Sequence, residues 1–140
     1  MKEGTKINLK KMLKDASLKV TTSRISILKV LLATNYPETI QNIHKKLKSI
    51  DIVTLYRTIN SFEKNSLVRK VDLHKDTTYY ELNIEHHHHI ICTKCGLVED
   101  FKSCNIKDSM QKIIRKALNF KYINGHSFEF FGICNACIER

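Results

Sequence analysis

Two Cys-x-x-Cys pairs, Cys92–Cys95 and Cys134–Cys137, constrain this chain more than any other feature. A knuckle of that spacing sets two sulfurs where both can reach one ion, and two knuckles complete a tetrahedral thiolate site. Stretches on either side of residues 96–133 are thereby tied to one point. Four protein ligands leave no open position, so the expected ion is a structural zinc whose binding free energy becomes folding free energy. Redox dithiols and free thiols are the alternatives. Residues 1–15, MKEGTKINLKKMLKD, have no apolar core of a secretion signal, and no apolar run nears the ~18 residues of a membrane span. A cytoplasmic location without membrane contact is therefore expected, and thiols there stay reduced, which favours metal over disulfide. Cys104 is left over and is expected to be a spare buried thiol, with a sensor thiol as the alternative.

Upstream of the cysteines the period is helical. Leu9, Met12, Leu13 and Ala16 fall on one face of a first helix. Thr21-Thr22-Ser23 is an N-cap cluster for a second, with Ile25, Leu28, Leu31 and Leu32 inward. The segment Asn35 to Thr39, with the only proline, ends it. Ile40, Ile43, Leu47 and Ile50 mark a third helix. Asp51 caps a fourth, apolar at Leu55, Ile59 and Phe62 and polar at Thr54, Arg57 and Thr58. Residues 67–71 and 77–81 then read as two strands joined by a turn at His74-Lys75-Asp76. Helices followed by a hairpin give the layout of a winged helix-turn-helix, in which the last helix enters the major groove. Lys and Arg exceed Asp and Glu by 16 to 8 over residues 1–82, but only by 8 to 6 over residues 83–140. The basic half is expected to meet a polyanion, with Thr54, Arg57 and Thr58 facing DNA. A helical bundle with a solvated lysine-rich face is the blander alternative.

Residues 83–85 read as a hinge. The rest, 86–140, reads as an antiparallel sheet plus one helix. Asn105 and Asp108 resemble a capping box for that helix, with Ile106, Met110, Ile113, Ile114, Ala117 and Leu118 inward. This part is small for independent stability, and pairing with a second copy would add buried area. The fold class expected is mixed α/β, of the α+β kind: a winged-helix domain over 1–82, then a small dimerisation and metal-binding domain over 86–140.

Four consecutive histidines, His86 to His89, precede the first knuckle. On an extended segment His87 and His89 share one face, and His86 and His88 the other, so one run can feed two metal sites. Glu81 at the end of the hairpin and Asp100 on the next strand could join His87 and His89. Two imidazoles and two carboxylates suit Fe(II), Mn(II), Zn(II) or Co(II), and hold an ion less firmly than four thiolates. Four exposed histidines on a strand edge are the alternative.

These residues together resemble the ferric uptake regulator family of bacterial metal-responsive repressors. The resemblance rests on LKVTTSRISILKVL, DIVTLYRTINSFEKNSLV, the block from Glu81 to Cys95, NGHSFEFFGIC and the final CNAC. It implies a homodimer that binds double-stranded DNA at a palindromic operator. It implies that Tyr56 and Arg57 lie on the DNA-reading helix, and that Cys92, Cys95, Cys134 and Cys137 hold structural zinc. It assigns Glu81, His87, His89 and Asp100 to a regulatory ion, iron by family frequency, with zinc and manganese as alternatives. A second site on the other face would use His86, His88, His126 and a carboxylate near the start of the long helix.

Two positions depart from the family pattern. No histidine stands in the loop before the third helix, so fewer protein ligands, a water or Glu38 would take that place; His44 lies inside the helix. Lys107 occupies the expected carboxylate position of the second site and would repel a cation, unless Asp108 substitutes. Asp100, in place of Glu, resembles the peroxide-sensing branch. A zinc hydrolase built on His87, His89 and Glu81 or Glu85 is the rival from another class, but the chain has neither HExxH nor HxE with PCxxC. A metal buffer that binds no DNA is the other rival.

Overall fold

A computed structural model describes residues 6–34 and 36–139 of the chain; Asn35, expected in the break after the second helix, lies outside them. The chain divides into two compact units, one ending at Ile84 and one beginning at Glu85. No helix among the described residues is long and apolar enough to cross a membrane.

The first unit runs α1 (Leu9–Asp15), α2 (Thr22–Ala33), α3 (Ile40–Lys46), α4 (Ile52–Lys64), β1 (Val68–Val71) and β2 (Tyr79–Leu82). Each helix opens on a side chain that accepts a backbone N–H three residues on: Asn8, Thr21, Thr39 and Asp51 in turn. These caps satisfy donors that the first helical turn leaves without partners. Leu13, Ile27, Leu28, Ile43, Leu55, Ile59 and Phe62 are wholly buried in one core, which Val68, Tyr80 and Leu82 of the hairpin close. On α2 the inward face differs from expectation. Ile27 is buried, Ile25 is half-buried and Leu32 is 37 % exposed. The helix packs against α1, α3 and β2, so the face it buries is turned toward Ile27.

Strands β1 and β2 pair antiparallel, with Val68 opposite Leu82 and Val71 opposite Tyr79. Their turn spans residues 72–78, longer than the His74–Asp76 expected. The Asp72 carboxylate accepts the His74 N–H at 2.8 Å, and His74 has a positive φ of 53°. A reciprocal backbone pair at 2.8 Å joins Glu38 to Tyr80, so the segment before α3 extends the hairpin. Helices with a hairpin after α4 make a winged helix-turn-helix.

The second unit holds β3 (His88–Cys92), β4 (Val98–Phe101), α5 (Lys107–Lys116), β5 (Glu129–Gly132) and α6 (Asn135–Ile138). Its sheet has the order β4-β3-β5. The pairing of β3 with β4 is antiparallel, but β3 and β5 run parallel, against the expected antiparallel sheet. Parallel neighbours need a long crossover, and the stretch carrying α5 supplies it. The expected capping box is absent: Ile106 stands at the N-cap of α5 without a side-chain cap. Of the positions expected inward on α5, Ile106, Met110, Ile114 and Ala117 are only half-buried, and Ile113 and Leu118 are exposed. The helix buries no residue, Ile113 is 56 % exposed and Leu118, beyond its end, is 97 % exposed.

Candidate metal centres

Strand β3 organises the metal chemistry, because it sits between the other two strands and carries histidines and a cysteine within five residues. Parallel pairing sets Cys92 opposite Gly132, two residues before Cys134. The first knuckle closes when Gly96 N–H donates to Cys92 C=O at 2.9 Å, with Gly96 at φ 77°, where a side chain would be strained. The second closes when Cys137 N–H donates to Cys134 C=O at 2.9 Å. The sulfurs of Cys92, Cys95, Cys134 and Cys137 all lie within 4.8 Å of one another, and Cys95 Sγ is 3.7 Å from Cys134 Sγ. Sulfurs bonded to one tetrahedral ion at ~2.3 Å are separated by ~3.8 Å, whereas a disulfide needs ~2.05 Å. The donor set therefore fits a zinc-class ion. The backbone N–H of Cys134 donates to Cys92 Sγ at 3.4 Å, and with further backbone donors it draws the Cys92 thiol down to about 6. Hydrogen bonds among the clustered thiols, Cys134 first, push Cys137 up to about 12. One sulfur is thus ready as thiolate near neutrality, while another holds its proton until an ion displaces it.

The histidines alternate along the segment that leads into β3. His87 and His89 meet edge to face with ring centroids 4.9 Å apart, and His89 is wholly buried. Nδ1 of His87 lies 2.9 Å from the Glu85 carbonyl, which fixes the tautomer and leaves Nε2 as the lone-pair nitrogen. Asp100, opposite His89 in the β3–β4 register, places Oδ1 3.7 Å from His89 Nε2. Glu129 on β5, which the sequence reading missed, places Oε1 3.7 Å from His89 Nδ1. It escapes notice because only the parallel pairing of β5 sets it opposite His89. The imidazole thus has a carboxylate oxygen 3.7 Å from each ring nitrogen. Glu81 belongs to the first unit, on β2, where Arg69 Nε donates to its carboxylate at 2.6 Å.

On the other face, His86, His88 and His126 converge. The His88 Nε2 is 3.1 Å from His86 Nε2 and 3.2 Å from His126 Nε2. Among the described residues no carboxylate completes this set. Lys107 and Asp108 are exposed at the start of α5, and Cys104 is the fourth member. Cys104, expected to be a spare buried thiol, is half-buried, and its sulfur lies 3.2 Å from both His88 Nε2 and His126 Nε2.

On α4, Tyr56, Arg57 and Lys64 are exposed as expected of its polar face, together with Val53 and Asn60, which the sequence reading did not single out. The two threonines are half-buried. Thr54 Oγ1 donates to Asp51 at 2.6 Å and Thr58 Oγ1 donates to the Thr54 carbonyl at 2.8 Å. Their hydroxyls are engaged within the helix, leaving Tyr56 and Arg57 as the outward part of the predicted set.

The family model described as the ferric uptake regulator family matches residues 15–131, which span both units. The chain belongs to the ferric uptake regulator family. Members of this family are metal-responsive transcription regulators, and the relatives come from several of its branches. The ferric uptake regulation protein of Legionella pneumophila is 34% identical over 131 residues, covering 89% of this chain and 95% of that one. The peroxide-responsive repressor PerR of Staphylococcus epidermidis is 25% identical over 132 residues, covering 91% and 87%. Among solved structures, the Helicobacter pylori ferric uptake regulator, described as having three functional metal-binding sites, superposes with a TM-score of 0.70 at 28% identity. That match covers 94% of this chain and 90% of that one.

Proposed function

We infer that this ferric uptake regulator family member represses transcription by binding operator DNA as a homodimer when a regulatory ion is held at its buried histidine pair. The observation that carries this reading is His89, wholly buried between the carboxylates of Asp100 and Glu129 and in ring contact with His87. Burying a histidine among acidic groups is costly unless a cation or proton offsets them. Cys92, Cys95, Cys134 and Cys137 would hold structural zinc, which supplies folding free energy. His87, His89 and Asp100 would hold the regulatory ion, with Glu81 from the first unit as a further ligand by family resemblance. Glu129 orients His89. Nitrogen and carboxylate donors suit Fe(II) first, with Mn(II) and Zn(II) as alternatives.

Tyr56 and Arg57 on the exposed face of α4 read the DNA, from a unit that carries the basic surplus. Two copies pair through the second unit, whose sheet and crossover leave Phe101, Phe120, Tyr122, Phe130 and Phe131 exposed in one copy. Two reading helices related by a two-fold axis match a palindromic operator. An ion with higher affinity for the DNA-binding arrangement shifts the population toward it, and DNA in turn tightens the ion.

The deciding experiment is a footprinting titration on the chain's own promoter region, metal-stripped against Fe(II)-, Mn(II)- and Zn(II)-loaded. Protection is expected only with metal. His89→Ala should abolish the metal response while keeping the structural ion. Arg57→Ala should weaken binding in every loaded form and lower the salt slope by about 1 if it contacts phosphate. Equal affinity of stripped and loaded protein would end this reading.

A further inference from the structure

We propose that Cys104 is a ligand, and that with His86, His88 and His126 it forms a second, three-imidazole and one-thiolate centre selective for zinc-class ions over Fe(II) and Mn(II). This rests on the reading that those three histidines hold an ion at all.

Three donors converge on one nitrogen. His88 Nδ1 lies 3.1 Å from the Phe128 carbonyl, so that nitrogen carries the proton and Nε2 presents a single lone pair. Around Nε2 stand His86 Nε2 at 3.1 Å, His126 Nε2 at 3.2 Å and Cys104 Sγ at 3.2 Å. One lone pair cannot accept three hydrogen bonds well. A cation at the centre satisfies all four atoms at once. Ligands bonded at ~2.0–2.3 Å to a tetrahedral ion lie ~3.3–3.8 Å apart, within a few tenths of an ångström of the separations here.

The surroundings hold the ligands in place. His88 is almost wholly buried and stacks on Phe128, with centroids 4.0 Å apart and an interplanar angle of 14°. His126 stacks on the other part of that ring environment, 5.4 Å from Phe128. The Phe128 carbonyl plays the outer-shell part, fixing the tautomer in which Nε2 binds. Cys104 arrives on the segment between β4 and α5, and its sulfur also lies 3.2 Å from His126 Nε2. Lys107 and Asp108 are exposed, so the site takes its anionic ligand from the thiolate instead of a carboxylate. That exchange changes the preference. A soft thiolate with three imidazoles in a closed tetrahedral set favours Zn(II) and its Co(II) surrogate, and disfavours Mn(II) and Fe(II) relative to an oxygen donor. The two faces of β3 thus differ in ion class: oxygen-rich at His89, sulfur-bearing at His88.

The test uses the full-length protein with the four-cysteine site filled by zinc. Metal content is measured on the parent, on Cys104→Ser and on His126→Ala, and alkylation of the Cys104 peptide is followed by mass spectrometry with and without added Zn(II). In the parent, added Zn(II) should slow Cys104 alkylation and add one equivalent of ion. Co(II) in its place should give a sulfur-to-cobalt charge-transfer absorption that Cys104→Ser lacks. Outer-shell losses already cost about 10–100-fold in affinity, so Cys104→Ser should weaken zinc at this site by about 100-fold or more and narrow its advantage over Mn(II). If His126→Ala loses an equivalent but Cys104→Ser does not, and Cys104 alkylates at one rate throughout, the histidine site stands and the thiolate ligand is refuted. If neither variant loses an equivalent, the three-histidine reading itself falls, and this inference with it.

Discussion

The two units of this chain stabilise themselves by different means. The first buries Leu, Ile and Phe side chains from four helices and a hairpin in one core. In the second, Ile91, the cysteines Cys92 and Cys137 and the histidines His87, His88 and His89 make up the buried set among the described residues, while its helix buries nothing. A core of aliphatic groups holds together by removing apolar surface from water. A centre made of thiols and imidazoles holds together only if something charged satisfies it. The comparison teaches that one half is a fold that carries a function, and the other is a set of ligands that becomes a fold.

The largest effect is expected from removing the ion proposed for the four cysteines. Structural zinc contributes ~10–16 kcal/mol in small metal-dependent domains, as much as the whole ~5–15 kcal/mol stability of an ordinary one. Chelation, or Cys95→Ser, should therefore strip hydrogen-exchange protection from β3 to β5 and leave α2 and α4 protected. Protection of both units in chelator would overturn the contrast. The reverse perturbation is Phe62→Ala, which truncates a wholly buried ring in the first core. It should cost about 3–5 kcal/mol of the first unit's stability, read by thermal melting, with zinc content unchanged.

Acidity separates the thiols. Cys92, held at about 6, is already a thiolate above that pH and releases no proton to an incoming ion; Cys137, held at about 12, releases one across the whole neutral range. Zinc affinity should thus fall as pH falls, and its logarithm should steepen by about one decade per pH unit once pH drops below 6 and Cys92 must also be deprotonated. A chelator competition series checks the break point, and an unbroken line from 5 to 8 would show that Cys92 is not the early thiolate. The smallest effect sharpens the first unit alone. Thr39→Ala removes the cap that accepts Asn42 N–H at 3.1 Å and should lower stability by about 1 kcal/mol, with no effect on metal.

What the sequence disclosed follows the same division. In the first unit, local signals agree with the tertiary result: Thr21 and Asp51 cap where expected, and Leu55, Ile59 and Phe62 form the buried stripe of α4. Ile27 was missed because the width of a helix's inward face depends on how many neighbours it meets. In the second unit, local signals mislead. The apolar residues of α5 have the right period for a core helix, yet none of them is fully buried. The parallel pairing of β5 is a tertiary choice with no local mark, and Glu129 became visible only with it. Cys104 has no partner at a knuckle's spacing, so nothing in the order of residues sets it beside His88 and His126. Thr54 and Thr58 looked outward by periodicity but turn their hydroxyls back on the helix.

The parallel β3–β5 pairing makes everything from Thr93 to Ile133 a loop whose two ends are clasped side by side. A protease nick near Asn124-Gly125 would therefore not release a fragment. With the proposed ion in the thiol clasp both pieces would travel together, and only on its loss drift apart, so that a cut chain would report on its metal by whether it stays whole.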